Sequence, residues 1–179
     1  ELNPKFVQSR SLYGMIYLGW VEGKFDEAEE QIRTSIKLDP LSAIDHADLA
    51  WTLLFAGKFE EALSTAQTGI ELDNNSFLSH RIAGLCFLAL NRFEEAITAF
   101  NILSNLSDRH QQAINGLIWS YCSKGDPGPA RLLMNELEQR PSTKIIGTTD
   151  YALSAAYLGD ADAAIILLEK ALADNDPQI

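Results

Sequence analysis

The chain has 179 residues, 46% of them hydrophobic, and its formal net charge of −11 at pH 7 corresponds to a pI of about 4.6. Such a charge repels phosphate backbones and anionic lipid headgroups, which excludes nucleic acid and membrane surfaces as partners. No apolar run approaches the roughly 18 residues that span a bilayer, and the first residues carry no signal-peptide pattern, so a cytoplasmic location is predicted.

A six-residue segment recurs along the chain at a fixed step of 34 residues. It reads Gly-Lys-Phe-Asp-Glu-Ala at 23–28, Gly-Lys-Phe-Glu-Glu-Ala at 57–62 and Asn-Arg-Phe-Glu-Glu-Ala at 91–96. The same step continues to Gly125 with Ala130 and to Gly159 with Ala164. A fixed period of this length is typical of stacked-repeat proteins, in which each unit touches only its neighbours. The chain is therefore expected to bind through an extended surface.

The register divides the chain into five predicted units, each holding two helices that we name helix A and helix B. The units are 9–42, 43–76, 77–110, 111–144 and a degenerate fifth at 145–179. Residues 1–8 are interpreted as the tail of a preceding repeat, because Glu1-Leu2-Asn3-Pro4 repeats the ending seen at 37–40. Apolar residues recur at helical intervals on both helices of the second unit, which supports two helices per unit and ten in all.

Helix A is predicted to end at a left-handed turn residue, which is Gly in four units and Asn91 in the third. Asp126 is expected to cap helix B of the fourth unit, with Pro127 at the first helical position. A small residue recurs where the two helices of a unit cross closely, as at Ala50 and Gly84. Ile16 and Ile118 replace it in the first and fourth units and predict wider crossings there.

The last predicted helix, from about 161 to 173, is apolar on more than one face. Because a soluble protein rarely leaves such a helix uncovered, it is expected to contact another chain. This predicts a homo-oligomer through the C-terminal helix, with contacts at Ile165, Ile166, Leu168 and Leu172.

The repeated pattern resembles the tetratricopeptide repeat family across roughly 9–177. The third unit supplies Gly84, Phe87, Phe93, Ala96 and Phe100 of the family pattern. The resemblance implies an all-α, right-handed α-solenoid of about five helix pairs. The pattern loses its closing proline at Asn74 and Asp108 and its turn aromatic at Pro127 and Ala161. The Ala-rich ending is similar to C-terminal repeat regions of bacterial multidomain regulators.

By this resemblance, the function is that of a non-enzymatic scaffold that binds a protein or peptide in a concave groove lined by the A helices. The groove is expected to be aromatic and apolar and to prefer an apolar peptide with Lys or Arg flanks. Chaperone-binding members hold a terminal carboxylate with Lys and Asn at the fifth and ninth positions, which here are Tyr13 with Tyr17 and Ala47 with Trp51. The predicted groove residues are Tyr13, Tyr17, Trp20, Trp51, Phe55, Arg81, Asn115, Trp119 and Tyr157.

Two alternatives to peptide binding stay open, namely self-association of a larger regulatory protein and small-ligand sensing. Enzyme activity is not predicted, since phosphate-loop, nucleophile-elbow and metalloprotease motifs are absent from the sequence. No catalytic residue, metal or cofactor is predicted. His46, His80 and His110 are interpreted as structural, and Cys86 and Cys122 as buried reduced thiols.

Overall fold

A computed structural model describes residues 11–140 and 148–173. Ten helices lie within these two ranges, and neither contains a strand. They are α1 (Tyr13–Val21), α2 (Phe25–Leu38), α3 (Ala43–Phe55), α4 (Phe59–Leu72), α5 (Phe77–Ala89), α6 (Phe93–Leu106), α7 (Gln111–Lys124), α8 (Pro127–Glu138), α9 (Thr148–Tyr157) and α10 (Ala161–Ala173). Odd-numbered helices are A helices and even-numbered ones are B helices, so the predicted all-α fold of consecutive helix pairs is confirmed. A position within a repeat is numbered from the first residue of its predicted unit.

The ends of the helices follow the local chemistry of the sequence. The predicted left-handed turn is present at every described A-to-B connection, with positive φ at Gly23, Gly57, Asn91, Gly125 and Gly159. Ser42 caps α3 and Ser76 caps α5, each through a side-chain oxygen that accepts a backbone N–H bond.

The predicted side-chain cap by Asp126 is wrong. Asp126 occupies the N-cap position of α8 and Pro127 begins the helix, but the carboxylate accepts no capping hydrogen bond. A cap needs the N–H group of the second or third helical residue. The third residue is Pro129, which has no N–H, so one of the two donors is missing.

The chain divides into two compact units, Glu1–Leu90 and Asn91–Ile179, and the boundary lies between α5 and α6. Unit 1 contains α1 to α5, and its A helices pack side by side, α1 on α3 and α3 on α5. B helix α2 packs against α3, and α4 packs against α5. Ile32, Leu53 and Ile82 are fully buried between these helices and form the centre of the unit 1 core.

Unit 2 contains α6 to α10, in which α7 packs against α6, α8 and α9, and α9 packs against α10. Phe100 of α6 is fully buried and lies over Gly116 of α7. A Cβ atom placed on Gly116 would lie 2.3 Å from Phe100 Cδ1 and Cε1, so only glycine leaves room for this ring. The other residues at the centre of this core are apolar and fully buried, namely Leu103, Ile114 and Ile118.

Helix α1 differs from the other helices because it is a π-helix. The wider crossing predicted from Ile16 is not found, since a Cβ placed on Gly14 would lie only 3.0 Å from the carbonyl oxygen of Ala28 in α2. Gly14 thus takes the place of the small residue, and Ile16 is exposed. A π-helix has more residues per turn than an α-helix, so its side chains are rotated around the helix axis. This rotation explains why Gly14, and not Ile16, lies where the two helices cross.

Ion pairs join successive repeats on the surface of the B helices. Lys58, before α4, lies 2.8 Å from Glu29 Oε2 of α2, and Lys124, at the end of α7, lies 2.7 Å from Glu94 Oε1 of α6. Burial alone would raise the pKa of Glu29, but hydrogen bonds from Lys58 and Arg33 hold it below its usual value. Within the described ranges, every helix is too short or too polar to traverse a bilayer.

Candidate functional site on the A helices

Two of the predicted groove residues form an aromatic pair on α3. Trp51 and Phe55 lie one turn apart, with ring centroids 5.1 Å apart in an edge-on arrangement. The guanidinium of Arg81, from α5, lies 5.0 Å from the centroid of the Trp51 ring, within the range of a cation–π contact. Only 8% of Trp51 is exposed, whereas 53% of Phe55 is. Trp51 is therefore a buried base on which the exposed Phe55 ring is held.

A second aromatic pair lies on α1. The rings of Tyr13 and Tyr17 are stacked, with centroids 5.3 Å apart and planes 18° from parallel, and both residues are exposed. A hydrogen bond to the Glu22 carboxylate raises the pKa of Tyr17 above its ordinary value. The side chain of Trp20, on the same helix, lies outside the described residues.

A third aromatic pair, in unit 2, joins two successive A helices. Trp119 of α7 stacks on Tyr157 of α9, with centroids 6.2 Å apart and planes 25° from parallel. The Trp119 Nε1–H donates a hydrogen bond of 2.9 Å to Ser154 Oγ, and that oxygen lies 3.0 Å from Asn115 Oδ1. Trp119 is buried and Tyr157 is exposed. The Trp119 indole is thus fixed by its hydrogen bond to Ser154, and Tyr157 supplies the ring that is accessible.

Two buried carboxylates lie between α3 and the helices before it. Asp45 Oδ2 accepts a hydrogen bond of 2.7 Å from Ser35 Oγ of α2, and Asp48 Oδ2 accepts one of 2.9 Å from Ser11 Oγ, just before α1. Burial raises the pKa of Asp48 to about 6, the Ser11 hydrogen bond opposes the rise and the Asp45 carboxylate adds to it. This polar contact between repeats is pH-sensitive.

The histidines that share the fourth position of successive units bind backbone carbonyls. His46 Nε2 donates to the Pro40 oxygen at 3.1 Å, and His80 Nε2 donates to the Asn74 oxygen at 3.0 Å. Each ring thus ties its A helix to the loop before it, as a structural role requires. No group of three His, Cys, Asp or Glu side chains that could hold a metal occurs among the residues that the structure describes.

The apolar side chains predicted to bind another chain lie on the surface of α10. Ile165, Ile166, Leu168 and Leu172 are all exposed, while Ala164 and Ala171 of the same helix are buried. The small residues therefore face the interior of unit 2 and the large apolar ones face away from it.

Comparison with known proteins agrees with this architecture. Residues 47–105 match the family model described as Tetratricopeptide repeat. Residues 47–105 are therefore tetratricopeptide repeat (TPR) sequence, and the same 34-residue register runs through the rest of the chain. A search of curated proteins found no match.

Several solved structures share the fold of this chain. A thermophilic TPR protein of Thermus thermophilus, TTC0263, is 19% identical with a TM-score of 0.74, covering 93% of this chain and 90% of that one. MamA is 21% identical with a TM-score of 0.63, covering 89% of this chain and 94% of that one. The second TPR domain of human RPAP3, solved with an HSP70 peptide, is 25% identical with a TM-score of 0.58, covering 64% of this chain and 95% of that one.

Several groove residues predicted from the TPR resemblance are not accessible to a ligand. Asn115 is fully buried, and its side-chain oxygen contacts Ser154, so this structure does not expose it to a peptide. Trp51 and Trp119 have only 8% and 6% of their surface exposed, because each is covered by a neighbouring side chain. Tyr13, Tyr17, Phe55 and Tyr157 are exposed as predicted, and Arg81 is half-buried.

Sequence reasoning did not identify the polar residues that hold these elements of the TPR stack. The contact of Trp119 with Ser154 joins the ninth position of one repeat to the tenth of the next, and Ser35 with Asp45 joins the twenty-seventh to the third. A signal was present in the sequence, since Asp48 and Asp150 share the sixth position of their repeats. Acids at a position that must be buried indicate a hydrogen-bonded contact.

Proposed function

We propose that this TPR chain is a non-enzymatic scaffold that binds an apolar peptide with Lys or Arg flanks through the aromatic side chains of its A helices. The observation that carries the proposal is the half-exposed Phe55 ring, held on a buried Trp51 that Arg81 covers. The TPR fold supports interaction with other proteins, and this site supplies the chemistry of a contact. Aromatic and Arg side chains are the most frequent centres of binding energy at interfaces.

Rigidity makes the Phe55 ring a favourable anchor. A side chain already fixed by its neighbours loses little conformational entropy when a ligand binds, so more of the contact energy appears as affinity. The stacked Tyr13 and Tyr17 rings extend the apolar surface of unit 1, since α1 packs beside α3. Tyr157 of unit 2, fixed on Trp119, offers a separate aromatic contact.

The charge of the protein favours the proposed flanks. With a net charge of −11, the chain attracts a cationic peptide and repels an anionic one, which speeds the first encounter and slows the second. The RPAP3 domain was solved with an HSP70 peptide. The Lys and Asn of the chaperone-binding pattern are replaced here by Tyr13 with Tyr17 and by Ala47 with Trp51, so a different ligand is proposed.

A labelled peptide tests the proposal directly. A short Leu- and Phe-rich peptide with lysine flanks should bind the protein, as measured by fluorescence anisotropy, and the same peptide with glutamate flanks should bind more weakly. Phe55→Ala should weaken binding of the lysine-flanked peptide by about tenfold or more, the effect of losing roughly 1.4 kcal/mol of contact energy.

A matched substitution tests whether binding depends on this site or on any exposed apolar residue. Leu132 of α8 is an exposed apolar residue outside the A helices, so Leu132→Ala should leave the affinity unchanged. Equal weakening by Phe55→Ala and Leu132→Ala, or failure of both peptides to bind, would show that the aromatic surface is not a peptide site.

Self-association is a second candidate function, favoured by the exposure of Ile165, Ile166, Leu168 and Leu172 on α10. Large apolar patches on soluble proteins usually mark interaction sites. Sedimentation across a wide concentration range tests it, since a self-associating chain gains mass as its concentration rises, whereas a peptide scaffold does not.

A further inference from the structure

The exposed face of α10 corresponds to a face that is buried on earlier B helices. Leu168 lies one repeat after Met134 and two after Phe100, which are 8% and 0% exposed, yet 44% of Leu168 is exposed. Ile165 lies two repeats after Ile97, which is 8% exposed, and 55% of Ile165 is exposed. These positions are therefore covered on earlier B helices and exposed on α10.

The covering element on earlier B helices is the A helix of the following repeat. Phe100 of α6 is covered by Gly116 of α7, and α4 approaches α5 so closely that a Cβ placed on Gly69 would lie 2.5 Å from Ser79 Oγ. No A helix follows α10 among the described residues. The face of α10 is thus shaped to receive a helix of this kind.

The first described A helix, α1, has an exposed apolar face of its own. Leu12 is 50% exposed, while its counterparts two and three repeats later, His80 and Ile114, are 7% and 0% exposed. Ile16, in the π-helical register of α1, is 47% exposed. Helices α1 and α10 therefore both expose apolar residues at positions that are buried in other repeats.

Charge also favours contact between these two ends. Residues 11–21 contain no charged side chain, and α10 contains only Asp162, Glu169 and Lys170. In a chain of net charge −11, two copies repel each other least where they carry the fewest charges. The end helices are such places.

We propose that α10 of one copy packs against α1 of a second copy, continuing between chains the contact of a B helix with the following A helix. This inference rests on the self-association candidate and specifies its geometry. The contact is heterologous, because different surfaces of the two copies meet, so it builds open chains or rings instead of stopping at a symmetric dimer.

Mixing two single variants tests this geometry. Ile16→Glu blocks the α1 face and Leu168→Glu blocks the α10 face, so each variant alone should be monomeric in sedimentation velocity at concentrations where the wild type grows beyond a dimer. An equimolar mixture should form a heterodimer, because the intact α10 of the first variant meets the intact α1 of the second. Leu132→Glu adds the same charge at an exposed site of α8 and should associate like the wild type.

The other outcomes overturn the proposal in distinguishable ways. Association of Ile16→Glu alone, with Leu168→Glu monomeric, would show a symmetric contact between α10 helices and would retain self-association. A mixture that stays monomeric would exclude the contact between α1 and α10. A wild type that is monomeric at every concentration would exclude self-association itself, without affecting the peptide site. Circular dichroism checks that each variant is folded, and Leu172→Glu replaces Leu168→Glu if the latter unfolds.

Discussion

The second and fourth repeats, one in each unit, meet the repeat before them with different chemistry at the same position. In the second repeat, within unit 1, Asp48 holds the sixth position with a hydrogen bond from Ser11, and Asp45 is hydrogen-bonded to Ser35. In the fourth repeat, within unit 2, the sixth position is Gly116, and the Phe100 ring fills the space above it. The repeat register thus determines which positions meet and leaves open whether a polar or an apolar contact forms there.

The largest effects are expected in the apolar contact of unit 2. Phe100→Ala should lower the free energy of unfolding by about 3–5 kcal/mol, measured by urea denaturation, because a fully buried ring is lost. Gly116→Ala alone should also destabilise, by roughly 1–3 kcal/mol, since its new Cβ clashes with the ring.

A double-mutant cycle sharpens this prediction. In the Phe100→Ala background, Gly116→Ala should stabilise the protein, because the clash is gone and alanine favours a helix over glycine by about 1 kcal/mol. Simple additivity of the two single effects would show that the ring and the glycine do not meet.

The polar contact of unit 1 should depend on pH. The pKa of Asp48 is about 6 in the folded protein against an ordinary 3.8, so the folded state holds this proton more tightly than the unfolded state. The free energy of unfolding should therefore fall as the pH rises from about 4 through 6. Asp48→Asn should flatten this dependence and raise stability at pH 7 by at most about 3 kcal/mol.

Urea unfolding at a series of pH values measures the Asp48 effect. Asp126→Asn is the matched control, because Asp126 is exposed and its carboxylate accepts no capping bond. A pH profile that Asp48→Asn leaves unchanged would contradict the assignment of the dependence to Asp48.

Most of the fold could be predicted from the sequence, because the 34-residue step of Gly and Ala determines the helix boundaries, and the exposure of Phe55, Tyr17 and Tyr157 followed from the register. The burial of Asn115 could not, because it depends on Ser154 of a different repeat. The register of α1 was also missed, since glycines five residues apart, Gly14 and Gly19, meet the next helix only when the turn is widened to a π-helix. A periodic sequence pattern does not predict a contact that depends on one specific pair of side chains.

A smaller effect is expected from changing the side chains that contact the two buried tryptophans, Trp51 in unit 1 and Trp119 in unit 2. Ser154→Ala removes the acceptor of the buried Trp119 Nε1–H and should cost about 1–3 kcal/mol. Arg81→Ala removes the cation–π contact to Trp51 and should cost about 0.5–2 kcal/mol. Near-ultraviolet circular dichroism and urea unfolding compare the two, with Ser123→Ala of α7 as the control. A larger loss from Arg81→Ala would reverse the expected order.

The smallest effect concerns the ion pairs on the B helices. Lys58 contacts Glu29 and Asp26 in unit 1, whereas Lys124 contacts Glu94 in unit 2. Lys58→Ala should lower the melting temperature only slightly, and Lys124→Ala should lower it less, because exposed ion pairs contribute little. Thermal unfolding at low and high salt checks this, because screening should remove both differences. Effects that persist at high salt would indicate lost packing of the lysine chain.

The separate cores have a consequence for how the protein is made. The buried cluster around Ile32, Leu53 and Ile82 draws all its members from residues before 91. The parts of this core are therefore all present once that stretch has left the ribosome, before α6 to α10 have emerged. Since neighbouring helices supply most of the contacts, little chain entropy opposes their early pairing. Unit 1 can thus fold before unit 2 has emerged, so that folding proceeds in the direction of synthesis.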